Sequence, residues 1–226
     1  MGGNAPGGPP FMNVLAELGI AVAGLVLALV LLSMNLWRSI LFLFPSSVRV
    51  EPEAPADQMD LPLELSGRAN QLQALGFVPL GSHEEKPRLQ RATRSYDWAH
   101  PGECVFATLH EGQGGAPRLY LLTPLASGGF VITADYRRPA LEVPGVYLAG
   151  SLEDAPPDRL LRAHLRRLDG LQPAGDFTWE GRVAAGRSWY QGLGRKEIRK
   201  QNLQGLLWTV IALAIVASAF FGPRAP

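Results

Sequence analysis

The stretch RLYLLTPLASGGFVITAD, residues 118–135, consists of two apolar runs joined through Ser127-Gly128-Gly129. Leu, Val, Ile, Tyr and Thr dominate both runs, and polar and apolar positions alternate along them. That is the pattern of half-buried strands, and a short Gly-containing link suits an antiparallel hairpin. A phosphate cradle is the competing reading of the glycine pair. It needs consecutive backbone N–H groups aimed at one point, usually with a helix N-terminus behind them. A strand-like run follows here instead, so the glycines are expected to supply positive φ at a corner.

Working outward, ECVFATLHE (103–111) reads as a further strand, linked to the first run by residues 112–117, and FVPL (77–80) as a short edge strand weakened by Pro79. In the run 103–111, Val105, Ala107 and Leu109 point one way, while Cys104, Phe106, Thr108 and His110 point the other. One face is the more apolar, so helices are expected to cover it while solvent or a partner meets the other. Helices are predicted over 64–75, with apolar residues at three- and four-residue spacing, and over 158–168, where Asp158 can cap and Leu160, Leu161, His164, Leu165 and Leu168 share a side. The fold class that follows is α+β, an antiparallel three- or four-stranded meander with covering helices.

Two charge-free segments flank this domain. LGIAVAGLVLALVLLSMNLW (18–37) and LQGLLWTVIALAIVASAFF (203–221) each approach the roughly 20 apolar residues that a membrane-crossing helix requires. A cleaved signal peptide is disfavoured for the first, because its leader carries no Lys or Arg and its apolar run is too long. The organisation expected is a tail (1–17), a first span with an interfacial extension (18–44), a Pro- and acid-rich linker (45–63), the soluble domain (64–178), a basic juxtamembrane helical stalk (179–202), a second span (203–221) and a tail (222–226). Basic residues beside the spans, Arg38, Arg49, Arg195, Lys196, Arg199 and Lys200, put the central domain on the cytoplasmic side. The absence of organellar and retention signals favours a bacterial plasma (inner) membrane. Small residues Gly24/Ala28 and Ala214/Ser218, four apart, let the spans pack on each other, on a partner or in a homo-oligomer.

Composition excludes several functions. A formal charge of +1 does not suit a nucleic-acid footprint. Cys104 is the only cysteine and the four histidines form no ligand pair, so neither a disulfide, a metal nor another cofactor is expected. Phosphate-loop, nucleophile-elbow and dinucleotide motifs are lacking in the polar domain. Three sets of residues remain as candidates. Arg182, Arg187, Arg195, Lys196, Arg199 and Lys200 form a basic cluster suited to an anionic bilayer surface. Lys86, Arg88, Arg91, Arg94, Tyr96 and Trp98 lie in a long polar interval, read as a partner or ligand loop. Cys104 with His100 or His110 offers a nucleophile and base for a hydrolase or transferase. The leading expectation is a membrane-anchored binding or assembly module acting through protein contacts, without catalysis. A small-molecule or lipid sensor using the less apolar sheet face is the alternative beside the hydrolase or transferase.

Overall fold

The computed structural model describes residues 10–88 and 90–221. It divides into two units: the segments Met1–Phe42 and Asn202–Pro226, and the domain Leu43–Gln201. Of the tails expected at 1–17 and 222–226, residues 1–9 and 222–226 lie outside the described part.

The first unit pairs helix α1 (Pro10–Leu43) with the apolar part of helix α5 (Gly194–Phe221). Helix α1 therefore begins within the expected tail. Both helices are long and apolar enough to cross a membrane, with mean hydropathy 2.6 in an 18-residue stretch within Leu15–Leu43 and 1.4 in one within Gly194–Ser218. They meet through small and polar groups. Ala28 and Ala212 are fully buried, and the Ser39 hydroxyl donates to Thr209 Oγ1 at 2.7 Å. A Cβ at Gly205 would run into the Arg38 side chain, so glycine permits the close approach. Of the expected small-residue pairs, Gly24/Ala28 lies on this contact, with Gly24 facing Ile215, whereas Ala214 and Ser218 are exposed.

In the domain, eight strands form one sheet in the order β1-β2-β3-β4-β5-β6-β8-β7. They are β1 (Arg49–Pro55), β2 (Val78–Lys86), β3 (Thr93–His100), β4 (Val105–Glu111), β5 (Pro117–Pro124), β6 (Phe130–Ala134), β7 (Leu141–Val143) and β8 (Tyr147–Ser151). All neighbours are antiparallel except β6 and β8. The sheet is thus larger than the three or four strands expected, with β1–β6 as its antiparallel meander. The expected linker contributes β1, tied to β2 by Lys86 with Glu51 at 2.7 Å, and the expected polar loop is the β2–β3 hairpin itself.

The 118–135 corner is a turn. Gly128 has φ +78 and its amide donates to Leu125 O at 2.9 Å. Gly129 has a different reason to be glycine, since a Cβ there would collide with Val146 O, which accepts the neighbouring Phe130 amide at 2.9 Å.

Helices cover both faces, where only one was expected to be covered. Helices α2 (Leu63–Ala74) and α3 (Pro157–Leu168) bury Leu65, Leu72, Leu160 and Leu168 against Trp98, Val105, Ala107, Leu109, Leu119, Leu121 and Val131. Asp158 stands in the first turn of α3 and pairs with Arg162 at 2.9 Å; the cap position is Pro156. His164, on the buried side of α3, is hydrogen-bonded at 3.0 Å to both Thr123 and Thr133, and burial pushes its imidazole down to about 3. Helix α4 (Trp179–Gln191) and the start of α5 cover the opposite face, where Phe106, Leu122, Phe130, Ile132 and Tyr147 meet Phe177 and Ala185. The second face also carries buried charged groups, Asp97 and Arg182 among them.

Candidate functional site

Strand register brings these groups together. Residues directly opposite on neighbouring strands share a face. Asp97 faces Thr108 across β3 and β4, and Thr108 faces Tyr120 across β4 and β5. One rung away, His83 faces Ser95, which faces His110. Helix α4 lays Arg182 over the first rung.

Arg182 is 1% exposed. Its guanidinium donates to Thr108 Oγ1 at 3.0–3.1 Å and to the Tyr120 hydroxyl at 2.5 Å, and its Nε lies 3.1 Å from Asp97 Oδ1. The other Asp97 oxygen lies 2.5 Å from His83 Nδ1. Burial alone would raise the Asp97 carboxyl, but the Arg182 and His83 charges hold it below its ordinary value. Burial alone would likewise lower His83, yet Asp97 and Glu85 hold it up to about 9, so this imidazole is a cation at neutral pH. Against its own desolvation Glu85 is drawn down to about 2 by His83, and it accepts the Tyr190 hydroxyl at 2.6 Å.

A second group lies along the same face. Arg138 pairs with Glu197 at the start of α5, and Glu197 also accepts the Tyr147 hydroxyl at 2.6 Å. The indole of Trp189 donates to that same hydroxyl at 2.8 Å. Arg138 stands 5.1 Å over the Trp189 ring and 6.0 Å over that of Tyr120, which Arg182 approaches at 5.6 Å.

Between the two groups is a cavity of about 330 Å³ lined by Glu85, Thr93, Ser95, His110, Tyr120, Tyr136, Arg138, Arg182, Trp189 and Tyr190, with Leu122 and Ile132 as its apolar floor. The volume is at the lower end of the range for small-molecule sites, about 300–1,000 Å³. Inside it His110 Nδ1 is buried without a hydrogen-bond partner, and the Tyr136 ring stands edge-on at 5.5 Å. Burial pushes His110 down to about 4, so its ring is neutral at pH 7 and offers one donor and one acceptor.

The candidates from sequence are distributed elsewhere with two exceptions. Arg182 belongs to the buried network, which corrects its expected place at a bilayer surface. His110 belongs to the cavity. Arg187 is exposed and donates to Val50 O at 2.8 Å, while Arg195, Lys196, Arg199 and Lys200 are exposed on the first turns of α5. In the hairpin, Lys86 pairs with Glu51 and Glu84, and Arg94 pairs with Glu53. Tyr96 and Trp98 belong to the core under α2, not to a contact loop, because alternation turns them to the opposite face from Ser95 and Asp97. Arg88 and Arg91 are exposed at the turn, and Arg94 is exposed at the start of β3.

Cys104 closes a short helical turn at φ 56, its thiol donating to Pro101 O at 3.6 Å. His100 Nδ1 accepts the Glu103 amide at 3.2 Å, and its ring meets Phe77 edge-on. His110 is five strand positions beyond Val105, about 17 Å at 3.3 Å per residue, which is out of reach of Cys104 for proton transfer. Among the described residues no group of His, Cys, Asp and Glu is disposed to hold a metal ion.

Comparisons with family models, with curated proteins and with solved structures return no match.

Proposed function

We propose that the chain is a membrane-anchored binding module whose Leu43–Gln201 domain takes a small molecule into the cavity beneath α4. One observation carries this: a cavity of about 330 Å³ among aromatic rings, with a buried imidazole nitrogen, His110 Nδ1, that has no partner. Buried polar atoms are normally hydrogen-bonded, and an unpartnered one costs about 1–3 kcal/mol. A ligand that supplies the bond recovers that cost. The two apolar helices anchor the domain in a bacterial plasma membrane, and the basic residues near their ends face the cytoplasm. The exposed Arg195, Lys196, Arg199 and Lys200 each add about 1 kcal/mol of attraction to anionic headgroups.

A thermal-unfolding screen of the intact protein in detergent against a library of small compounds tests the reading. Thr93, exposed at the rim, becomes Trp in a blocked variant. Compounds that raise the melting temperature of the wild type, but not of Thr93→Trp, are expected. A library that yields none refutes small-molecule binding here. Assembly through protein contacts, for which the exposed Arg88 and Arg91 at the hairpin turn offer a charged surface, then takes its place.

A further inference from the structure

Every buried charge around the cavity already has an opposite charge beside it. Arg182 is met by Asp97, His83 by Asp97 and Glu85, and Arg138 by Glu197. Three cations stand against three anions, and Glu111 at the rim is exposed to solvent. The guanidinium faces are used as well, lying over Tyr120 and Trp189. An anion or cation entering the cavity would have to leave its water and either remain unpaired or displace one of these partners. Breaking a buried pair is strongly unfavourable.

What the walls offer instead is uncharged. Tyr120, Tyr136, Trp189 and Tyr190 present rings, Leu122 and Ile132 an apolar floor, and His110 Nδ1 an uncharged buried hydrogen-bonding position without a partner. Rings stack on rings, and a neutral imidazole accepts or donates one hydrogen bond. We propose that the cavity binds an uncharged, ring-bearing molecule that sets a hydroxyl or amide group against His110. This inference rests on the cavity being a ligand site.

The test uses three probes of one shape and different charge at pH 7: benzamide, benzoate and benzylamine. Binding to the intact protein in detergent is read by saturation-transfer NMR, which detects millimolar affinities. Benzamide is expected to show a signal that Thr93→Trp abolishes, and to bind at least ten-fold more tightly than either charged probe. In His110→Phe its Kd rises about ten-fold, the loss of one hydrogen bond, while His110→Gln holds Kd within about three-fold. Preferential binding of benzoate or benzylamine, sensitive to Thr93→Trp, overturns the uncharged class and leaves the cavity a ligand site. Unchanged benzamide affinity in His110→Phe overturns the role of His110. If no probe gives a signal that Thr93→Trp removes, the ligand class is refuted, whereas the cavity reading is decided separately by the library screen.

Discussion

Replacing Arg182 by Met separates two accounts of this residue. If its guanidinium neutralises buried Asp97, the substitution leaves a carboxylate inside the domain, facing Thr108 and His83 alone. Both side chains are almost fully buried, at 2% and 0% exposure, so solvent cannot compensate. Breaking a buried pair costs about 3–5 kcal/mol, and Met keeps most of the side-chain volume, so little of the loss comes from a cavity. At about 2–4 °C per kcal/mol for a domain of this size, the melting temperature should fall by about 10 °C. Thermal unfolding of the intact protein, followed by tryptophan emission, measures it, since Trp98 is fully buried. The double variant with Asp97→Asn should be less destabilised than the two single variants added, because the stranded charge is gone. A fall of less than about 2 °C, together with weaker binding to anionic phosphatidylglycerol vesicles, would refute the buried ion pair and return Arg182 to the membrane surface.

Stability should also vary with pH on both sides of neutrality. The His83 imidazole is raised from 6.5 to about 9, so its contribution is complete below pH 6.5 and disappears as pH rises to 9; His83→Gln should flatten that limb of a melting curve series. His164 is lowered to about 3, so stability is lost as pH falls below 6.5 and its buried ring must charge, a limb that His164→Gln should flatten. At the 118–135 corner, Gly128→Ala should cost about 1 kcal/mol, for its positive φ alone, in urea unfolding. Gly129→Ala should reach the upper end of the about 1–3 kcal/mol range for overpacking, because its Cβ meets the backbone carbonyl of Val146; equal costs for the two would refute this division.

Sequence patterning located what local chemistry determines. The strands on either side of Ser127-Gly128-Gly129, the helices near 64–75 and 158–168 and the two apolar helices all follow from periodicity and glycine position. Strands β1, β3, β7 and β8 escaped: β3 lies in a stretch read as a polar loop, and the composition of β1 argues against a strand. Pro52 and Pro55 cannot donate to a ladder, and β1 forms only as an edge, where a register shift between Pro52 and Ala54 and the pairs of Lys86 with Glu51 and Arg94 with Glu53 sustain it. Two breakers, Pro144 and Gly145, disguised the β7–β8 hairpin, yet Gly145 has φ +70 and supplies its turn. The polar face was legible as a face, with Thr108 and His110 on the correct side. Its membership was not. Asp97, Thr108 and Tyr120 are neighbours only through strand register, and Arg182, Glu197 and Tyr190 arrive on helices whose docking no local pattern encodes. Arginines in a stretch with few acids read as a surface cluster until Asp97, 85 residues earlier in the chain, is seen beneath one of them.

The sheet has an implication for how the chain is assembled during synthesis. From β1 to β6 the order across the sheet repeats the order along the chain, so each strand can add to the one made just before it, and from β2 to β6 the connections are short loops. The nascent domain can therefore be nearly complete as a sheet while Asp97 still lacks Arg182, which is translated some thirty residues after β8. A chain that has emerged from the ribosome only through β8 would have its strands available while Asp97 still lacks its Arg182 partner, so the last helices to emerge act as the latch on the fold.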